Sequence, residues 1–587
     1  MFRRNFVLSD GIQTARNAWR NLLYALKAFF YRGQSRPSSP QGGLRFSILL
    51  PVHATTPRFL REAIGSVIRQ TYSNWELCVT DDGAGVPRIT RILESYARDP
   101  RIKITSLART GGIAKATNSS IALAIGEWIV FLDHDDLLDP DALHHIHSAL
   151  LRNPDAKLIY TDEDKISSWG LRFDPYFKPD WSPDLLLSQN YLCHLVAVRA
   201  DLVREVGGIR EGFDGAQDWD FVLRATERCR SEEIHHIPRV LYHWRAARGS
   251  TARSRDSKPA VPEASKRALW EACTRRGVAI SEVGMMERGG HFRIRRLLQE
   301  PCPLVSVIIP VRNKPELLKK CLLGLREKTD YPSLEILIVD NGSEDPAMEE
   351  IYSREGERIR LLRHPGPFNF SAMNNRAAEQ AAGDILLLLN NDVEPLDPDW
   401  LTEMVVHAVR PQIGAVGAML LYPDGRIQHA GITLGISGPM RVGGVAGHPG
   451  KRMRPDTRVM GNQLRVTRNV SAVTGACLAI KKTIFREVGG LDEERLPVAF
   501  NDVDFCIRVM KAGYRNLWTP HARLTHHESL SRGREDSPEK IDRFRREVGV
   551  MRARWGDLLD KDPFYNPNLT LVHENWSVAG SARPVRS

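Results

Sequence analysis

The 587-residue chain has no Cys-x-x-Cys pair, and its eight cysteines are scattered. Neither a zinc site nor a disulfide framework is indicated by that spacing, and a reducing cytoplasm fits it best. No apolar run approaches the roughly 20 residues that span a bilayer. No Gly-rich basic loop follows the first strand-like run, where the sequence reads Pro51-Val52-His53-Ala54-Thr55-Thr56; this argues against a nucleotidyltransferase. Acidic residues are the minority, 71 against 82 basic, for a net charge of +11. Anionic partners are therefore expected. The surplus is concentrated, because residues 1–40 hold seven basic residues and one acid. An extended basic, aromatic-interleaved face for nucleic acid is accordingly not expected.

What is present begins with that basic segment. Between Ile12 and Phe30 the apolar residues Trp19, Leu22, Leu26, Phe29 and Phe30 share one side of a helical wheel, with Arg16, Arg20 and Lys27 opposite. A basic amphipathic helix with Trp and Phe suits an anionic membrane surface, here residues 1–33. The alternative is a helix docked on its own domain. A Ser/Pro/Gly-rich linker closes this part at residue 43.

From Phe46 onward strand-like and helix-like segments alternate, which predicts an α/β fold with a mostly parallel sheet. In such sheets ligands bind beyond the carboxyl ends of the strands. Asp81-Asp82-Gly83 and Asp133-His134-Asp135-Asp136 both fall at such ends. The whole context then repeats. Ser47, Pro51 and Asp81 match Ser306, Pro310 and Asp340 at an offset of 259, and Phe131-Leu132-Asp133-His134-Asp135 answers Leu388-Leu389-Asn390-Asn391-Asp392. Asp218-Trp219-Asp220-Phe221 answers Asp502-Val503-Asp504-Phe505. This is duplication of a domain rather than a short solenoid repeat. The expected organisation is a helix and linker over 1–43, a first domain over 44–255, a connector over 256–303, a second domain over 304–533 and a helical extension over 534–587.

Each half thus carries three acidic stations. The first, Asp81 and Asp82 or Asp340, can accept hydrogen bonds from a base or ribose. The second, Asp133-x-Asp135 or Asn390-x-Asp392, can hold Mg²⁺ or Mn²⁺ through oxygen. The third, Asp218 or Asp502, is a separate carboxylate of the kind a general base requires; helix N-capping is the alternative use. His243 follows a strand-like run, as do His526-His527, and a histidine there is a candidate further metal ligand. His527 is chosen over His526 for the second half. The arginines nearby, Arg245 and Arg532, are candidates for holding phosphate.

With these motifs together the chain resembles a tandem pair of family 2 glycosyltransferase domains, each similar to the GT-A fold. The resemblance rests on Ser-Ile-Leu-Leu-Pro-Val at 47–52, Asp81-Asp82-Gly83, Asp133-His134-Asp135-Asp136, Gln217-Asp218-Trp219-Asp220 and Tyr242-His243-Trp244-Arg245. In the second half it rests on Ser-Val-Ile-Ile-Pro-Val at 306–311, Asp340-Asn341-Gly342-Ser343, Leu389-Asn390-Asn391-Asp392 and Asn501-Asp502-Val503-Asp504. It implies an inverting transfer from a nucleotide sugar to a hydroxyl of a growing, lipid-linked bacterial surface glycan on the cytoplasmic membrane face. Asp218 and Asp502 are the implied bases. Pro51, Asp81, Asp82, Asp133, Arg245, Pro310, Asp340, Asn390 and Arg532 are expected around the donor. Asp133, Asp135, His243, Asp392 and His527 are the expected metal ligands. The Asn-Asn-Asp form resembles rhamnosyltransferases and suggests dTDP-rhamnose. Two departures matter: Gln217 and Asn501 stand where the family usually has Glu before the base, and Asn390 replaces the first metal Asp. One half acting only as a glycan- or nucleotide-sugar-binding module is the remaining alternative.

Overall fold

The structure is a computed structural model that describes Tyr24 and residues 43–83, 85–246, 260–286, 290–437, 444–527 and 537–579. The first half forms nine strands, β1 (Phe46–Val52), β2 (Trp75–Asp81), β3 (Ile102–Ser106), β4 (Trp128–Phe131), β5 (Leu137–Leu138), β6 (Leu158–Ile166), β7 (Arg172–Tyr176), β8 (Val196–Arg199) and β9 (Ile234–Arg245). They make one sheet in the order β3-β2-β1-β4-β8-β6-β9-β5, with β7 on β6. The block β3-β2-β1-β4 is parallel throughout. β8 runs antiparallel between β4 and β6, and β6 is parallel to β9.

Every residue of β1 and β2 is buried, as expected of strands covered on both faces. One cover is the helix Pro57–Ile68, which buries Leu60, Ala63, Ile64 and Val67 at helical spacing. Pro51 stands past the last β1–β4 pair, Leu49 with Phe131. Its missing N–H therefore costs that ladder no bond.

The second half repeats the order strand for strand: Arg360–Arg363, Leu334–Asp340, Val305–Val311, Ile385–Leu389, Cys477–Lys481, Ile413–Leu421, Arg515–His526 and Val393–Pro395. The chain divides into two compact units, the first including Gln189–Val278 and the second Arg293 onward. The helix Ala260–Arg275, placed in a connector by the sequence, lies in the first unit, where Arg275 pairs with Glu227 at 2.7 Å. No described helix is long and apolar enough to cross a membrane, and no disulfide joins cysteines among the described residues.

The repeated serine is explained by packing. Ser47 Oγ donates to Oε1 of the buried Glu76 carboxylate at 2.5 Å, and Glu76 Oε1 also accepts from the N–H groups of Ile125 (2.7 Å) and Gly126 (3.2 Å). The second half rebuilds this with Ser306, Glu335, Ala382 and Gly383. A Cβ on Gly126 would meet Arg45 O at 2.6 Å, and one on Gly383 would meet Leu304 O at 2.5 Å, so glycine is required by close approach at both positions.

Burial pushes the Glu76 carboxyl up, but Lys103, Ser47 and the Ile125 N–H outweigh it and hold the group below the ordinary range. A depressed carboxylate stabilises the fold above its unfolded value and loses that contribution as pH falls through the lowered one. Glu76→Gln is therefore expected to destabilise the first unit by on the order of 1–3 kcal/mol at pH 7, the gap narrowing in acid. Urea unfolding at both pH values checks this; equal midpoints at pH 7 would contradict it.

Candidate active site

The first two acidic stations sit at the carboxyl end of the parallel strands, as the sequence predicts. Asp81 ends β2 opposite Val52. Its carboxyl is raised by burial and by the neighbouring Asp82. Asp82 is engaged differently. Its Oδ1 accepts from the N–H groups of Gly111 (2.8 Å) and Gly112 (3.0 Å), and Oδ2 lies 3.1 Å from His53 Nδ1. Asp82 thus fixes the turn after β3 while Asp81 stands beside it.

The turn Asp133–Asp136 leaves β4 and is held by β9. Tyr242 Oη donates to Asp136 Oδ2 at 2.7 Å and accepts from the Asp133 N–H at 3.3 Å. The Arg245 N–H donates to Asp136 Oδ1 at 2.7 Å, and its Nε donates to the Asp135 carbonyl at 2.5 Å. Arg245 also meets Glu62 at 2.7 Å and is 1% exposed. Its guanidinium is therefore a brace for the acidic turn, not an open phosphate ligand. His134 Nδ1 reaches the Pro51 carbonyl at 3.2 Å, which ties the turn to β1.

A residue that sequence reasoning passed over completes the site. Ligand atoms of Asp133, Asp136 and His194 all lie within 4.8 Å of one another. His194 stacks on Tyr242, ring centroids 4.6 Å apart, with Trp244 edge-on at 5.5 Å. Burial opposes a charge on this imidazole, but Glu163, Asp133, Asp136 and Asp218 outweigh it and raise its pKa. His243 lies in a separate buried network: Nδ1 is 2.6 Å from Asp164 and Nε2 is 3.8 Å from Asp139. Successive side chains of a strand point to opposite faces. On β9 this sends Tyr242 and Trp244 to His194, and His243 to Asp164. Asp164 also receives Arg172 at 2.6 Å and the Tyr24 hydroxyl at 2.7 Å. Tyr24 is the one described residue of the basic segment, and it is docked on the first unit.

Asp218 lies in the first turn of the helix Gln217–Thr226, whose N-cap is Ala216 without a side-chain cap bond. It is therefore not the cap. Asn190 Nδ2 donates to it at 2.9 Å. Burial raises its pKa; His194 opposes the rise, and Asp133 adds to it. Asp135 and Asp136 are raised as well, mainly by burial; His134 opposes the rise at Asp135, and the Asp133 charge adds to both. Crowded, partly dehydrated carboxylates of this kind fit a divalent cation, which relieves the repulsion. The donor set of two carboxylates and one imidazole suits Mn²⁺ or Mg²⁺.

The second half keeps the stations and changes their partners. The Asp340 carboxylate accepts from the Ser343 N–H (3.0 Å) and hydroxyl (2.5 Å) and pairs with Arg363. Asp392 faces His526, Nε2 to Oδ1 3.2 Å, whereas His527 faces Glu394 at 3.7 Å. Alternation along the strand again decides between adjacent histidines, against the choice of His527. Asn390 has its N–H on the Ala476 carbonyl at 3.0 Å, and Pro310 occupies the position equivalent to Pro51. Asp502 lies in the first turn of Asn501–Lys511, where Oδ2 accepts from the Gly475 N–H at 2.9 Å. Arg532 lies outside the described residues.

A family profile described as glycosyl transferase family 2 matches residues 47–205 and 306–489. The chain belongs to glycosyl transferase family 2. It is 39% identical over 90% of its length to the O-antigen biosynthesis protein RfbC of Myxococcus xanthus, covering 40% of that protein. It is 27% identical over 37% of its length to an N-acetylglucosaminyl-diphospho-decaprenol L-rhamnosyltransferase of Mycobacterium tuberculosis, covering 74% of that chain. The chain spans about half the length of the two curated relatives it matches over nine tenths of its own residues. A solved mannosyltransferase, PcManGT from Pyrobaculum calidifontis in complex with GDP-Man and Mn²⁺, is 18% identical with TM-score 0.29, covering 44% of this chain and 75% of that one. In this family 2 chain the α/β halves stand in tandem, each with its acids at the carboxyl edge of the parallel block.

The placement of the two histidines gives a direct test. His194→Ala is expected to weaken Mn²⁺ binding by at least about tenfold, as loss of a ligand does, whereas His243→Gln keeps the affinity within about threefold and lowers the melting temperature. Titration calorimetry of the folded variants measures the affinities, and thermal unfolding the melting temperatures. Undiminished binding in His194→Ala would remove it from the ligand set.

Proposed function

We propose that this chain is an inverting glycosyltransferase that moves sugars from nucleotide-sugar donors to hydroxyls of a growing bacterial surface glycan, with one active site in each half. The observation that carries the proposal is Asp218: a half-buried carboxylate of raised pKa, uncommitted to capping, held by Asn190 beside the Asp133–Asp136 turn. In this reading Asp218 takes the proton from the acceptor hydroxyl, which attacks the anomeric carbon opposite the nucleotide. Asp81 binds the base or ribose, and Asp82 holds the neighbouring loop in shape. Asp133 and Asp136 with His194 would hold a cation, and Tyr242 and Arg245 orient the turn that carries the two acids. The bound cation offsets the charge of the departing diphosphate.

In the second half Asp502 is the base, and Asp392 with His526 replaces the fuller ligand set. The differing partners support different linkages from the two sites. The Asn-Asn-Asp turn and the rhamnosyltransferase relative support dTDP-rhamnose as one donor, and that relative's diphospho-decaprenol substrate supports a lipid-linked acceptor. Residues 1–33 then hold the protein on the anionic inner face of the cell membrane, with Tyr24 joining that segment to the first unit. The domain bounds proposed are those read from sequence, except that the helix Ala260–Arg275 belongs with the first domain. The second reading, a binding module in the later half, is favoured by Asn390 and by the lack of an imidazole in Thr474-Gly475-Ala476, the stretch equivalent to that of His194.

Two single variants test this with candidate donors, with and without Mn²⁺. Asp218→Asn and Asp502→Asn should each lower one transfer by ~10²–10⁴-fold, the usual contribution of a general base. One should leave the acceptor unmodified, and the other should stall it after the first type of sugar. Complete product at the normal rate from Asp502→Asn would establish the binding-module reading instead.

A further inference from the structure

The helix Pro538–Asp560 follows the second sheet domain and has no assigned chemistry. One residue on it is buried in an unexpected way. Glu547 is 1% exposed, and its two carboxylate oxygens accept from successive backbone N–H groups, Val498 at 3.0 Å and Ala499 at 3.2 Å. One helical step earlier, Phe544 packs on Phe500 with ring centroids 5.3 Å apart. Phe500 is the N-cap of the helix that carries Asp502, and it sits in the left-handed region at φ 58°. That conformation is unfavourable for a bulky residue and persists only where surrounding contacts impose it. Glu547 supplies such contacts to the peptides just before Phe500, and Phe544 to the Phe500 ring itself. Further along, Arg554 Nη1 and Trp555 Nε1 both donate to Asp504 Oδ1, at 2.7 and 2.8 Å.

The first half solves the same problem differently. There the Gly215 N–H, ahead of the helix that carries Asp218, is held by the side chain of Gln217 at 2.6 Å. Asp220, equivalent to Asp504, is gripped by Arg210 and Arg224 from the same sheet domain. In the second half Arg508 repeats Arg224, while the C-terminal helix provides the remaining partners.

We infer that Glu547 is a positioning residue for the second active site, fixing the Val498–Phe500 turn so that Asp502 is presented against Gly475. This rests on the reading of Asp502 as a base. Glu547 touches neither reactant in this role; it acts through the backbone. Charge-assisted bonds from a carboxylate to two adjacent N–H groups define that turn far more tightly than solvent does. A shift of about 1 Å in a reacting group costs on the order of 10²-fold in rate.

The test uses full-length Glu547→Ala, Glu547→Gln and Asp502→Asn, with each of the two transfers assayed separately. Glu547→Ala is expected to lower kcat of the second-half transfer by about 10–100-fold while the donor KM and the first-half transfer stay unchanged. Glu547→Gln, which retains one acceptor oxygen, should recover part of that loss. The retained first-half rate and unchanged donor KM separate positioning from general destabilisation. A wild-type second transfer in Glu547→Ala, alongside its loss in Asp502→Asn, overturns the inference and leaves the two-site reading intact. A parallel fall of both transfers in Glu547→Ala and Glu547→Gln also overturns it, because the effect is then one on folding. A normal second transfer in Asp502→Asn overturns the two-site reading and this inference together.

Discussion

Asp133, Asp135, Asp136 and Asp218 gather beyond the end of β4, and taking carboxylate charge out of water there, above all at Asp136, is the constraint on the first half's site. Like charges in a partly dehydrated space favour protonation, expansion or a counterion. The fold restrains them with β9. Tyr242 and the Arg245 N–H take the two oxygens of Asp136, and Arg245 Nε takes the Asp135 carbonyl. His194 then adds a basic group among the acids. Arg245 is buried because it braces this turn, which is why it is unsuited to the phosphate role its charge first suggests. Ligand atoms of Asp133, Asp136 and His194 thereby come within 4.8 Å of one another.

The duplication separates what the architecture needs from what the chemistry needs. The eight-strand order and the Ser–Glu–Gly lock recur with the same partners. These elements set how close the parallel strands and the following loops approach, so they tolerate little change. Partners at the site do not recur. Asp340 is paired with Arg363, while Asp81 stands beside Asp82; Asp392 faces His526, while Asp133 and Asp136 face His194. Two copies that share a scaffold and differ at the site are what separate specificities require. The entry turn of the helix that carries Asp218 or Asp502 shows the same divergence: Gln217 holds it locally in one half, and in the other Glu547 from a distant helix joins the local Asn501.

The α/β class, the duplication and the placing of the acids at strand ends are legible in the order of residues alone. Those features follow from local composition and from spacing along the chain, since a short apolar strand ending in Asp delivers that Asp to the sheet's edge wherever the strand lies. That order also marks Asp218 and Asp502, because their context repeats. Which neighbour each side chain meets is set instead by long-range packing. His243 and His527 were each one position from the histidine–tyrosine or histidine–aspartate contact that forms, and a one-residue step along a strand reverses the face. His194 was hidden because its partners Asp133 and Asp136 are about 60 residues away in sequence and no repeat flags it. Asp82 and Arg245 looked like ligand groups until their backbone partners were visible. Glu547, an ordinary acid on a charged helix by sequence, gained its significance only when folding placed it on two N–H groups some 48 residues earlier. Such pairings depend on long-range packing, which local periodicity does not encode.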